Sequence, residues 1–385
     1  LLTALASWHI GGSDQPTRPG PPVIVQNGAL YVSPTGSDTA DGSRDHPLAT
    51  IQAALDRAGP GTVITLGEGE YREKVATVRD GNRDAPITIK GPETGQQRSG
   101  RYQAVLFVTG RGVSIDHSYI ILDGFTIDGQ EKLVGTTFPT SAGAMDAFKD
   151  RVKASVVNDK LIYVGASDSA RDLTGITINN MFLNASGTEC VRIRNNSRAN
   201  TISNSVIQYC GLFGKQTGVA RAVYHNGEGV YIGTSPKSTS QPMHRNDSSS
   251  HNLIIGNVIR TFGSECFDVK ENAHDNEFIG NRCSANTESS AFSGSNVELR
   301  GYRNVVRGNL ISNSAGANIK IGADKGGYRN GGNIVRDNRL SGSARALQLK
   351  SKDTQGSMCG NTVAEDQVLT LHGNAGPAKD VTGPC

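Results

Sequence analysis

Four hexapeptides in the C-terminal half, NLIIGN (252–257), NEFIGN (276–281), NVVRGN (304–309) and NIVRDN (333–338), share an Asn, a run of apolar residues and a second Asn five positions on. Their starts lie 24, 28 and 29 residues apart. NTISNS, beginning at Asn200, is a looser copy, and ITINNMF at 176 and YIILDGF at 119 are earlier relatives. A strand-and-turn unit recurring at this period belongs to a solenoid, because one unit cannot bury its own apolar face and a stack of them can.

A second series runs in phase with the first: ECVRIRN (189), EGVYIGT (228), ECFDVKE (265), SNVELRG (295), ANIKIGA (317) and RALQLKS (345). The third and fifth residues of each are apolar and the fourth and sixth mostly polar, the period-2 pattern of a strand with one inward face. One such strand plus one Asn-bounded strand every 22 to 39 residues predicts an all-β chain, a single-stranded right-handed parallel β-helix, with the excess residues looped out between strands. The repeated Asn pairs are expected to stack as buried side-chain ladders at the turns.

Composition agrees: 47 glycines with only 36% hydrophobic and 5% aromatic residues suit many short strands and turns, not a helical bundle. The segment ATIQAALDRAGPG places Thr50 as an N-cap, with Ile51, Ala54 and Leu55 at helical spacing and Gly59-Pro60-Gly61 as a stop. A short helix there would cap the open end of the solenoid. Residues 1–28 read as an extension or linker and 29–385 as the β-helix catalytic domain.

A net charge of +3 marks neither a nucleic-acid binder nor a membrane-surface protein, and no apolar run is long enough to span a bilayer. The opening LLTALAS resembles the tail of a secretory signal. The six cysteines form no CxxC pair, and disulfides Cys190–Cys210, Cys266–Cys283 and Cys359–Cys385 are expected, consistent with a secreted monomer. Acceptor sequons occur at Asn184, Asn195 and Asn246.

Stacking turns sequence columns into surface neighbours about 4.8 Å apart. The fourth-position column reads Arg192, Tyr231, Asp268, Glu298, Lys320, Gln348; the sixth reads Arg194, Gly233, Lys270, Arg300, Gly322, Lys350; the first begins Glu189, Glu228, Glu265. Adjacent carboxylates in register suit a hard cation such as Ca²⁺, and Lys270 beside Arg300 suits an anion. Glu189 is expected to pair with Arg192 or Arg194, and Gln348 and Lys350 to be merely solvated.

NGEGVYIGTS, ECFDVKEN and VELRGYRNVVRGN together resemble the core of polysaccharide lyase family 6, the alginate and chondroitin lyases, over residues 226–309. SPTGSD, HPLATIQAAL and GTVITLGEGEY extend a looser resemblance to the pectate-lyase-like β-helix superfamily over 29–375. The family resemblance implies cleavage of a uronic-acid-containing polysaccharide by β-elimination, with Lys270 as base, Arg300 as its electrostatic partner and Glu265 as a calcium ligand. Asn226 would be the family's metal-binding asparagine, and the stacked columns add Glu228 and Asp268 as metal candidates. Position 263 is Gly where the family pattern has a second glutamate, and the 30 residues from Lys270 to Arg300 exceed the family spacing.

The chemistry explains the residue types. The C5 proton of a uronate is a poor acid until positive charge neutralises the neighbouring carboxylate, and a lysine acts as base once its pKa is lowered. Tyr231 and His225 are further catalytic candidates, and Lys320, Glu298 and Arg192 candidate substrate contacts. Two other classes remain open: a β-helix glycoside hydrolase using a pair among Glu228, Glu265, Asp268 and Glu298, and a noncatalytic carbohydrate-binding β-helix.

Overall fold

The computed structural model describes residues 24–92, 101–165, 171–214, 226–238, 246–286, 294–371 and 381–385, and along these residues short strands alternate with tight turns. The strands assemble into three parallel sheets of 11, 10 and 10 strands, each strand hydrogen-bonded to its counterparts in the coils before and after. This is a right-handed parallel β-helix, the hand expected of parallel crossovers. LLTALAS, most of the 1–28 extension and His225 lie outside the described residues.

Each coil contributes three strands, one more than the pattern predicts. Within NLIIGN, Leu253–Ile255 forms a strand of the first sheet, Gly256 bends the chain at φ +67°, and Asn257 leads straight into Val258–Arg260 of the second sheet. The second-sheet strand escapes detection because it is three residues long and points a single side chain inward. Glycine holds the equivalent left-handed corner at Gly280 and Gly308, and Asp337 takes it in NIVRDN.

Inward side chains stack in columns. Ile202, Ile254, Phe278, Val306 and Val335 descend the first sheet, and Ile207, Ile259, Cys283, Ile311 and Leu340 the second, all buried. The third sheet sends two residues inward per strand, as in Phe267 with Val269 and Val297 with Leu299. Phe267 stacks on Phe278 across the interior at 4.9 Å between ring centres.

The asparagine ladders form as expected. The backbone N–H and side-chain Nδ2 of Asn252 both donate to Asn276 Oδ1, at 3.1 and 2.8 Å, and Asn276 repeats this to Asn304 at 3.0 and 3.1 Å. A second ladder runs Asn257, Asn281, Asn309, Asn338, Asn361. Each side chain thereby satisfies turn amides that neither sheet pairs.

The three disulfides are those expected, with Cα separations of 5.4, 5.9 and 5.1 Å. Helix α1 (Ile51–Arg57) caps the first coil; Thr50 Oγ1 accepts from Ala53 N, and Ile51, Ala54 and Leu55 are buried. A second helix, α2 (Ala142–Val152), was not anticipated. Its buried face, Met145, Phe148 and Val152, packs with Leu212 and Phe262 outside the coil interior. Of the sequons, Asn195 is buried and Asn184 is hydrogen-bonded to Asp128, so neither offers a free amide.

Candidate active site

The predicted register of the third sheet holds: Arg192 pairs with Tyr231, Tyr231 with Asp268, Asp268 with Glu298, Glu298 with Lys320 and Lys320 with Gln348. All point away from the coil interior, since Val230, Ile232, Phe267, Val269, Val297 and Leu299 take the inward slots. Outward does not mean solvated here, which corrects the usual expectation for such slots. Asp268 and Glu298 are 0% exposed, Lys270 7% and Arg300 8%.

Charge can be buried there because every member is paired. Arg300 Nη1 donates to both Asp268 oxygens at 2.8 Å, and its Nη2 to Glu298 Oε2 at 2.8 Å. Lys320 Nζ lies 2.7 Å from Glu298 Oε1, and Lys270 Nζ pairs with Asp268 Oδ2. The two adjacent cations thus need no outside anion to hold them together, because Asp268 stands between them.

The network also corrects the expected lysine chemistry. Burial and Arg300 would lower the Lys270 pKa, but Asp268, with Tyr231 and Glu228, outweighs them and drives it above the ordinary lysine range. Burial would likewise raise the Glu298 carboxyl, but Arg300 and Lys320 outweigh it and hold it below the usual range.

A second network sits on the preceding coils. Tyr231 is buried, with Arg192 4.1 Å and Lys270 4.4 Å from its ring centre, so it is no surface aromatic. Arg192 reaches Glu189 at 2.8 Å, as the sequence suggests, and Lys160 reaches the same carboxylate at 3.2 Å. Burial would raise Glu189, but Arg192 and Lys160, with hydrogen bonds from Asn226 and Thr188, keep it far below the usual carboxylate range.

Of the four candidate metal ligands, Glu228, Glu265 and Asp268 converge, each offering an oxygen within 4.8 Å of the others, and all three are buried. The Asn226 amide turns instead to Glu189 Oε1, 2.7 Å away. Glu265 accepts from Ser264 Oγ at 2.5 Å. A buried set of carboxylate oxygens at this spacing fits a hard divalent cation.

Three residues of the site were missed. Asp324 lies 3.5 Å from Arg300 Nε and 3.6 Å from Lys237 Nζ; Glu271 is buried and accepts from Asp324 N; Lys160 reaches in from an earlier coil. Asp324 sits on a loop, out of register, where column stacking has no purchase. Lys350, read as solvated, is exposed as expected, and its pKa lies below the ordinary lysine value, first through desolvation and then through Lys320. His251 lies away from this network, edge-on to His274 at 6.0 Å.

A family profile described as "Protein of unknown function (DUF1565)" matches residues 34–94, which include α1 and the first coil. Two curated proteins match locally. The uncharacterized protein YwoF of Bacillus subtilis is 38% identical over 64 residues, 17% of this chain and 14% of its own length. The pectate lyase PEL9 of Emericella nidulans is 39% identical over 66 residues, 17% of this chain and 16% of its own. The match therefore spans about one sixth of these relatives.

Among solved structures, an alginate lyase from Paenibacillus sp. str. FPU-7 superposes with a TM-score of 0.62 at 18% identity, covering 90% of this chain and 98% of that one. Pectate lyase Pel9A superposes with a TM-score of 0.55 at 14% identity, covering 93% and 82%. The chain has the parallel β-helix fold that these polysaccharide lyases share.

Proposed function

We propose that this protein is an extracellular, monomeric polysaccharide lyase, with a site of the family 6 type, that cleaves a uronic-acid-containing polymer by β-elimination. The observation that carries the reading is Lys270 and Arg300 on neighbouring coils, both held by Asp268, beside the converging carboxylates Glu228 and Glu265. Three disulfides suit an oxidising compartment.

In this reading Lys270 takes the C5 proton, the C–H electrons form the C4–C5 double bond, and the C4–O bond breaks with a proton passing to the leaving oxygen. Arg300 places fixed positive charge against the substrate carboxylate and the enolate-like charge that develops beside it. Tyr231, next to Lys270, is the candidate donor of the leaving-group proton. Arg192, Glu298 and Lys320 flank the reacting pair as substrate contacts.

Lys270 is a base only once its ammonium is released, and Asp268 is what holds it. Ca²⁺ on Glu228, Glu265 and Asp268 would supply positive charge that competes for Asp268 and helps neutralise the uronate. The hydrolase alternative requires a carboxyl kept protonated as general acid. Glu298, held below the usual range by two cations, is poorly suited to that role.

The test is incubation with alginate, pectate, glucuronan and glycosaminoglycans while following ultraviolet absorbance from unsaturated ends. New reducing ends without that absorbance would replace the lyase with the hydrolase, and no cleavage at all would favour a binding protein.

A further inference from the structure

The loop that follows the third-sheet strand Ala317–Ile321 carries an acidic residue back over the charged face. Asp324 Oδ2 lies 3.5 Å from Arg300 Nε and 3.6 Å from Lys237 Nζ, and the Asp324 N–H donates to Glu271 Oε1 at 2.9 Å. Lys237 belongs to the loop after Val230–Ile232, three strands earlier in the same sheet. The Lys237–Asp324 contact therefore forms a strap across the two coils that carry Lys270 and Arg300.

The contact has the chemistry of a bound acid. Asp268 and Glu298 take the two Nη groups of Arg300 at 2.8 Å and fix the guanidinium, and Asp324 faces the Nε edge that remains. Burial would raise the Asp324 carboxyl, but Arg300, Lys237, Lys270 and Lys320 outweigh it and hold it below the usual carboxylate range. The protein thus supplies a carboxylate of its own to the cations of the site. A uronate drawn to Arg300 meets that charge, and like charges at contact distance repel.

The strap is lightly held. Its ion contacts at 3.5 and 3.6 Å are longer than the 2.8 Å of Asp268, residues 324–327 are exposed, and a Cβ added at Gly326 or Gly327 would meet nothing within 4 Å. Ion pairs at such exposure contribute little to stability and exchange readily. We infer, on the uronate reading of this site, that Asp324 holds the place of a substrate carboxylate at Arg300, and that residues 323–329 form a strap that an acidic chain displaces to enter.

Calorimetry and hydrogen exchange with alginate, pectate and glucuronan oligomers test this, in a Lys270→Ala background so that no turnover consumes the ligand. Asp324→Asn and Lys237→Gln should each bind an acidic oligomer about threefold tighter or more, the scale of one exposed ion pair. Loss of positive charge at Lys237 would by simple attraction weaken binding, so tightening there is particular to the strap. With the strap unsubstituted, the Asp324 amide that Glu271 holds should exchange faster once an oligomer is bound. Weaker or unchanged binding in either variant, or slower exchange across 323–329 in the complex, overturns the inference. Cleavage by the wild-type protein alongside such a result leaves the lyase standing, whereas neither binding nor cleavage of any uronate ends both.

Discussion

Arg300 Nη1 reaches across one coil to Asp268 and donates to both carboxylate oxygens at 2.8 Å, with both residues outward on the third sheet and both buried. Asp268 thereby pairs with two cations at once, Arg300 and Lys270. Asp268→Asn would take the carboxylate from Lys270 and leave Arg300 with Glu298 and Asp324 alone, and breaking a buried pair costs about 3–5 kcal/mol. Urea unfolding of the variant should show a loss of that order; an unchanged midpoint would mean the pairing contributes little.

Lys270→Ala should lower lyase turnover at least about a hundredfold, the usual scale of a lost general base. Lys270→Arg should fail too, since arginine stays protonated. Both should keep the wild-type circular dichroism, because Phe267 and Val269 hold the inward slots. A folded Lys270→Ala protein with most of its activity would move the base elsewhere, with Lys350 the first residue to try.

Chelation should reduce activity and added Ca²⁺ restore it, with Glu265→Gln needing more Ca²⁺ for half-recovery. Calorimetric titration of Ca²⁺ into the chelated protein gives a readout apart from turnover. Full activity in chelator together with no heat of binding would remove the cation and leave neutralisation to Arg300.

Asn281 Oδ1 accepts from Asn257 N and Nδ2, and its own Nδ2 donates to Ile254 O and Asn309 Oδ1. Asn281→Ala strips partners from several buried groups at once, each costing about 1–3 kcal/mol. Denaturant unfolding should show a loss of several kcal/mol, well above that of a surface Asn→Ala control such as Asn246.

Asp275 is held down to about 2, chiefly by hydrogen bonds from Arg303 and in spite of partial burial. A depressed carboxyl stabilises the fold above its unfolded value of 3.8, and that contribution fades as pH falls toward 2. Thermal melts should therefore show wild type losing more stability between pH 4 and pH 2 than Asp275→Asn. Parallel curves for the two proteins would contradict the pairing.

Repetition carried most of the fold. NLIIGN and its copies, together with the alternating series, determined a parallel β-helix and its third-sheet register, because a solenoid forces equivalent positions into contact and period 2 decides which face each takes. The disulfides and α1 were equally legible, resting on local spacing and a capping threonine. The second-sheet strands were not, since three residues with one inward side chain carry too little periodicity. Helix α2 did leave a signal, Met145, Phe148 and Val152 at helical spacing, in a stretch otherwise resembling loop.

The sequence alone also determined which charges share a column, Asp268 beside Glu298 and Lys270 beside Arg300. Only the tertiary structure decided that these charges are buried and mutually paired, that Asp268 raises the Lys270 pKa, and that Asp324 and Lys160 join from a loop and an earlier coil. Register follows from backbone repetition, which is written in the chain. Burial, and with it the strength and sign of each electrostatic effect, depends on what packs against the column, such as Asp324 from a loop and Lys160 from an earlier coil, and no repeat encodes that.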